Sequence, residues 1–403
     1  MRILFVAMSD SVHTARWISQ INGQYWDIHL FPSKDYGVMH PGLKNMTIHH
    51  SIYGRQKNPD RSVSFQGIPV VSTHVASLAR RTARALSPHY RALQLKQVIE
   101  KLQPDIIHSM EIQAAGYLTL ETKKQFQGEF PPWIVTNWGS DIYFFGRLAD
   151  HAEKIRAVLS VCDYYSCECQ RDVSLAKQMG LKGEVLPIVP NGGGFYLERV
   201  RGWKQPEPIS ARRLILLKGY QGWAGRSLVG LRAIELCADS LQGYRIAIYM
   251  ASPEVKIAAE LFSKKTGIPV ELVPRCSHEE MMRMYGQARI YVGLSISDAI
   301  STSLLEAIVM GAFPIQSCTS CADEWIVDGE SGFIVPSEDP EPVSAAIRRA
   351  ISDDNLVDRA AEINGRTAES RLDENILRPQ VIAMYEKVVS ESKAKRQRGS
   401  HTR

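Results

Sequence analysis

Along nearly the whole chain, short runs of β-branched and aromatic residues alternate with stretches of helical periodicity, and the alternation breaks once and then starts again. A strand–helix–strand text of this kind describes parallel α/β layers, because parallel strands need a crossover between them and a helix supplies it. In the first half, strands are predicted over 3–7, 26–31, 105–108, 134–136 and 164–167, with helices over 13–21 and 94–102. After Pro190 the text reads PNGGGFYLERVRGWKQPEP, a glycine- and proline-rich break that marks a domain boundary. The series resumes with strands over 214–217, 245–250, 270–273 and 290–294, and helices over 228–238, up to Ser263, 278–286 and 303–310. No fixed-period repeat is visible, so two successive α/β domains are expected.

The 403 residues, 44% hydrophobic and 23% charged, suit a globular protein of two ordinary domains. No apolar run approaches the roughly 20 residues of a membrane span. The opening MRILFVAMS reads as a buried strand rather than a signal peptide, so a cytoplasmic protein is expected. The net charge of +5 is accounted for by Lys393, Lys395, Arg396, Arg398 and Arg403, which sit together near the end without an acid among them. The rest is near neutral, and a nucleic-acid partner, which needs a charged folded face, is not expected. The seven cysteines show no disulfide spacing; Cys167 with Cys169, and Cys318 with Cys321, read as thiols of a reducing compartment rather than as zinc ligands.

Two stretches of the first half bear on partners. Val75, Leu78, Ala79 and Leu86 fall on one side of a helical wheel, with Arg80, Arg81 and Arg84 on the other. Such a helix is either an ordinary surface helix with a solvated basic face or one that meets an anionic membrane surface. Residues 33–67, around Tyr36, His40, Pro41 and Tyr53, read as a long loop region on the acceptor side.

The most informative text is SISDAISTSLLEAIVMGAFPIQSC and its continuation to Pro340. A strand ends near Leu294 and a helix starts near Ser303, so the loop between them offers backbone N–H groups at a helix N-terminus, where a phosphate is stabilised. Ala299, Ile300, Ser301, Thr302 and Ser303 line that terminus, and Glu306 in its first turn can accept hydrogen bonds from a ribose diol. Asp298, earlier in the loop, is placed for the other end of the ligand. Ligands of open α/β sheets bind at this carboxyl edge of the strands.

Asp298, Glu306, Ala307, Gly311, Pro314 and the run Gly329, Glu330, Ser331, Gly332, Phe333 resemble the E-x7-E signature of the family 4 glycosyltransferases, retaining enzymes of GT-B fold. Weaker similarities are Pro104-Asp105-Ile106-Ile107-His108, Thr136-Asn137-Trp138-Gly139-Ser140-Asp141 and Pro190-Asn191-Gly192. The resemblance implies two Rossmann-like domains with a donor cleft between them: 1–205 for the acceptor and 206–375 for the nucleotide sugar. A helix over 376–391 would return to the first domain, ahead of a basic tail over 392–403.

By the same resemblance Glu306 binds the ribose, and Asp298 meets the transferred sugar, joined as catalytic residues by Asp141 and His13. Lys218 and Arg226 are the cations available for the diphosphate. Asp10, His108 and Trp138 are the acceptor-side residues. The chain departs from the family pattern at four places. Asp298 stands for a glutamate, Trp138 for a histidine and Arg226 for a lysine, and Ser9 to Thr14 replace a glycine-rich loop. No D-x-D metal motif is present, so activity without a metal or other cofactor is expected, on a glycan or lipid-linked acceptor. A sugar-nucleotide epimerase and a non-catalytic nucleotide-sugar-binding scaffold remain alternatives. A nicotinamide enzyme is disfavoured, since neither half opens with G-x-G-x-x-G.

Overall fold

The structure is a computed structural model that describes residues 1–35, 37–54 and 60–400, with the backbone alone at 396 and 398–400. Tyr36 and Arg403, both singled out above, lie outside the described residues. The chain divides into two compact units, Met1–Gly193 with Arg378–Arg403, and Gly194–Leu377. Residues 194–205, read from sequence as the end of the first domain, fall in the second unit.

Among the described residues the first unit holds eight strands: β1 (Arg2–Ala7), β2 (Asp27–Pro32), β3 (Met46–Gly54), β4 (Val63–Val70), β5 (Ile106–Met110), β6 (Trp133–Thr136), β7 (Tyr164–Ser166) and β8 (Glu184–Val185). They form one sheet in the order β4-β3-β2-β1-β5-β6-β7-β8, and every pairing is parallel. Central strands such as β1 (RILFVA) and β5 (IIHSM) are buried on both faces, which is why β1 reads as an apolar run rather than as alternation and why the His108 and Ser109 of β5 are buried with it. The second unit repeats the plan with β9 (Leu214–Lys218), β10 (Arg245–Tyr249), β11 (Val270–Val273), β12 (Ile290–Gly293), β13 (Phe313–Ser317) and β14 (Phe333–Val335), in the order β11-β10-β9-β12-β13-β14, again all parallel.

Three expectations are corrected. The region 33–67 is not a loop throughout: it contains β3 and the start of β4, with a register shift between His49 and Ile52. Gly67 lies opposite that shift at φ +131°, where a Cβ would sit 1.9 Å from the His50 carbonyl oxygen, so the irregularity requires glycine. In the helix Thr73–Leu86 one arginine of the wheel's basic side turns inward and the apolar side stays out, while Arg81 and Arg84 are exposed as well. Arg80 is 3% exposed, with Nε 3.2 Å from Asp35 and a guanidinium N–H donated to the Ile52 carbonyl, while Val75, Leu78 and Leu86 face solvent. An ion pair inside the unit thus outweighs the tendency of arginine to lie outside. Finally, the stretch read as a free basic tail continues the last helix, Glu374–Ser400.

That helix brings Tyr385 into the first unit's core, where a hydrogen-bonded chain forms. Trp17 Nε1 donates to Tyr385 Oη at 2.7 Å, and Tyr385 Oη lies 2.7 Å from His108 Nδ1. His108 Nε2 is 2.6 Å from Thr136 Oγ1. A neutral imidazole donates from one ring nitrogen and accepts at the other, so Tyr385 and Thr136 are between them its donor and its acceptor. Burial pushes the His108 imidazole down to about 3, and it is neutral here. All seven cysteines are free thiols.

Candidate functional site

In the second sheet β9 is flanked by β10 on one side and β12 on the other, so the loops leaving β9 and β12 diverge at a topological switch point. A crevice at the carboxyl end of an α/β sheet opens at such a point. The two loops are tied together there: Gly225 and Ser295 form an antiparallel bridge, Arg226 N donates to Leu294 O at 3.0 Å, and Ile296 N donates to Ala224 O at 2.9 Å. The β9 loop turns tightly enough that a Cβ on Gly225 would lie 2.0 Å from the Tyr220 carbonyl oxygen, so no other residue fits without moving the backbone.

The loop after β12 leads into the helix Thr302–Met310. Residues Ser303 to Met310 are all buried and mostly apolar, which marks a helix enclosed by the unit rather than lying on it. Its N-cap, Ser301, makes no side-chain capping bond, and its Oγ instead lies 3.5 Å from Lys218 Nζ at the end of β9. Lys218, Ser301, Thr302, Ser303 and Glu306 thus share one helix terminus. Asp298 is half-buried, and its Oδ1 accepts the amide N–H of Ala299 at 3.0 Å; Ala299 and Ile300 are buried beneath the loop. Glu306 is 8% exposed, and its Oε1 is 2.9 Å from His278 Nε2. Ser303 Oγ accepts from Tyr249 Oη at 2.8 Å, and Tyr249 Oη accepts from Tyr285 Oη at 2.9 Å. Burial drives both phenols above their ordinary range, so they remain neutral donors.

Arg226, the other cation expected at the diphosphate, has protein partners of its own. Its guanidinium donates to Glu338 at 3.0 Å and to the Gly225 carbonyl at 2.9 Å, bracing the β9 loop. Lys218 is the cation aligned with the helix terminus.

In the first unit the switch point lies between β2 and β5, on either side of β1. Asp10 is exposed in the turn after β1. His13 follows in the first turn of the helix Val12–Ser19, capped by Ser11, and its ring meets Trp138 edge-on with centroids 5.6 Å apart. The buried Trp138 Nε1 has no hydrogen-bond partner among the described residues. The structure therefore brings His13 and Trp138 together.

Two residues assigned to this edge lie in the interior of the unit. His108, read as an acceptor-side residue, has no exposed surface, and both ring nitrogens are engaged in the core. Asp141, read as catalytic, is buried and accepts the amide N–H groups of Ile112 at 2.8 Å and Trp138 at 2.9 Å, tying the loops after β5 and β6 together. Burial, together with the nearby Glu111 carboxylate, raises its carboxyl well above the usual range. Glu111 itself was not anticipated. It holds φ at 80°, and its carboxylate accepts from Ala114 N at 2.9 Å and Ala115 N at 2.6 Å.

The comparisons agree with this architecture. Residues 2–161 match the glycosyl transferase 4-like family and residues 252–367 match glycosyl transferases group 1. The sucrose-phosphate synthase of Thermosynechococcus elongatus aligns with a TM-score of 0.70 at 13% identity, over 97% of this chain and 100% of that one. The α,α-trehalose 6-phosphate synthase of Burkholderia multivorans gives 0.69 at 10% identity, over 98% of each chain. The HepE protein of Anabaena, solved with UDP-glucose, gives 0.65 at 12% identity, over 96% of this chain and 100% of that one. No curated protein sequence matches the chain. Fold and family matches together make the chain a glycosyltransferase of GT-B fold. The group 1 match falls in its second unit and the 4-like match in its first.

Proposed function

We propose that the chain is a retaining hexosyltransferase. It takes a hexose-type sugar from a nucleoside-diphosphate sugar and sets it on a glycan or lipid-linked acceptor, as in bacterial surface polysaccharide or lipopolysaccharide synthesis. The observation that carries the donor half is the meeting of Lys218, Ser301 and Glu306 at one helix N-terminus beside a sheet switch point. UDP-glucose and UDP are bound by the Anabaena HepE protein, which supports a nucleotide sugar here.

In this reading Glu306 accepts from the ribose, Lys218 and the loop amides receive the diphosphate, and Asp298 meets the sugar. As the bond from the anomeric carbon to the phosphate oxygen breaks, negative charge grows on the leaving diphosphate where those donors are aimed. The acceptor oxygen bonds to the anomeric carbon on the same face, and its proton passes to the departing phosphate oxygen. No protein nucleophile or metal is called for, and turnover is expected to survive EDTA. His13 and Trp138 form the aromatic acceptor side. A ligand that binds only the folded state raises the melting temperature. Screening UDP, GDP, ADP, CMP and dTDP is therefore expected to give a clear rise with one nucleoside diphosphate; no rise with any would overturn the donor assignment.

A lipid-linked acceptor is supported by the helix Thr73–Leu86, on which Val75, Leu78, Leu86, Arg81 and Arg84 are all exposed, and by Val71 just before it. No helix among the described residues is long and apolar enough to cross a membrane. Apolar side chains flanked by basic ones suit the headgroup boundary of an anionic leaflet, and peripheral attachment to the inner face of the plasma membrane follows. The protein is expected to co-sediment with phosphatidylglycerol-rich vesicles at low salt, and Leu78→Glu with Arg81→Glu and Arg84→Glu to abolish this. Arg80 is left alone in that test because its ion pair belongs to the fold. Binding unchanged by those three substitutions would contradict the assignment.

A further inference from the structure

The helix His278–Gln287 reaches the donor-site helix Thr302–Met310 twice. From its first residue, His278 Nε2 lies 2.9 Å from Glu306 Oε1; an ionised carboxylate only accepts, so Nε2 carries the proton and donates. Two turns on, Tyr285 donates to Tyr249, which donates to Ser303. Ser303 and Glu306 stand one turn apart on the same helix, so the two arms grip one face of its first turns.

The start of the gripping helix is itself fixed by a capping box. Glu280 N donates to Ser277 Oγ at 3.2 Å, and Ser277 N donates to Glu280 Oε2 at 2.7 Å. Glu279 adds ion pairs to Arg283 at 3.0 Å and Arg199 at 3.1 Å. The His278 backbone is thus held before any ligand arrives. Its side chain is 45% exposed against 10% for that of Glu306, so the imidazole meets the buried carboxylate from the solvent side.

We infer that His278 is a positioning residue of the nucleotide site, holding the Glu306 carboxylate in the orientation that accepts the hydroxyl groups of the donor's ribose. This rests on the reading of Glu306 as the ribose ligand. Glutamate has three rotatable side-chain bonds, and a carboxylate fixed through one oxygen loses that freedom before binding rather than on it. The benefit reaches only ligands that carry the diol. A residue that merely stabilised the loop, or that touched the diphosphate, would affect every nucleotide alike.

The test is calorimetric titration of UDP, GDP and ADP, each beside its 2′,3′-dideoxy counterpart, into the full-length protein and its variants. For the nucleotide that binds, His278→Ala is expected to weaken the diol form roughly tenfold while the dideoxy form stays within about twofold. His278→Gln, whose amide N–H can still donate, restores part of the difference. In turnover His278→Ala raises the donor KM and leaves kcat nearly unchanged. Equal weakening of both forms, or of neither, while Glu306→Ala abolishes the preference for the diol, overturns the role of His278 alone. A preference that survives Glu306→Ala, or no binding by any of the three nucleotides, overturns the ribose reading and this inference with it.

Discussion

Glu306→Ala is expected to lower kcat/KM for the donor by about a hundredfold, with most of the loss in KM, while the protein stays folded. A hydrogen bond to an ionised carboxylate contributes about 1.5–3 kcal/mol. Losing the bonds to a ribose diol, partly offset by water entering the space, leaves a deficit near 3 kcal/mol, or about two powers of ten. The ribose is remote from the bond that breaks, so ground state and transition state lose alike, and the loss appears as binding. Folding is little affected because Glu306 is held in the free protein by His278, which is itself nearly half exposed and can turn to water when the carboxylate is gone. Steady-state kinetics beside a melting curve separates the two effects. A variant within about threefold of wild type at unchanged stability would remove Glu306 from the donor site. Glu306→Gln keeps one accepting oxygen and is expected to fall between.

The parts of this site that could be read from the sequence are those whose chemistry is local. Asp298, Ser301, Thr302, Ser303 and Glu306 lie in one loop and one helix turn, so spacing alone places them. His278 lies far from Glu306 along the chain, and its only local signal is the Ser277 and Glu280 capping box, which marks a helix start and says nothing of what that start faces. Arg226 was read by residue type, as a cation near the right strand. The acidic residue that occupies it, Glu338, comes from a distant segment.

The fold shows the same division. The central strand β1 is buried on both faces and announces itself as an apolar run, whereas β3 (MTIHHSIYG) and β4 (VSFQGIPV) carry polar residues, a glycine and a proline, as strands toward a sheet edge can. Arg80 misled the wheel reading because Asp35, which neutralises it inside the unit, sits on another element. His108 misled for the opposite reason. A histidine in a family-like strand invites a chemical role, and only the arrival of Tyr385 from the end of the chain shows that both its nitrogens serve the core.

That arrival has a large energetic consequence, best seen in Tyr385→Ala beside Tyr385→Phe. Tyr385 has no exposed surface, and Val381, Met384 and Val388 of the same helix are buried with it. Emptying an aromatic site in a packed core costs about 3–5 kcal/mol. The lost hydroxyl also leaves the Trp17 N–H and the His108 Nδ1 without partners, at about 1–3 kcal/mol for each stranded group. Tyr385→Phe suffers only the second loss and should be destabilised by about 2–6 kcal/mol, whereas Tyr385→Ala adds the packing loss and should lose at least about 5 kcal/mol. That approaches the whole stability of an ordinary domain, about 5–15 kcal/mol. The damage should also be local, because Tyr385, Trp17 and His108 all belong to the first unit. Hydrogen exchange followed by mass spectrometry is expected to show protection lost in β1, β5 and β6 of the alanine variant, while β9 and β12 stay protected. If both variants lost less than about 1 kcal/mol, the buried chain from Trp17 to Thr136 would not be what fastens the last helix to the first sheet. A phenylalanine variant as damaged as the alanine one would instead put the whole effect in the hydrogen bonds and none in the packing.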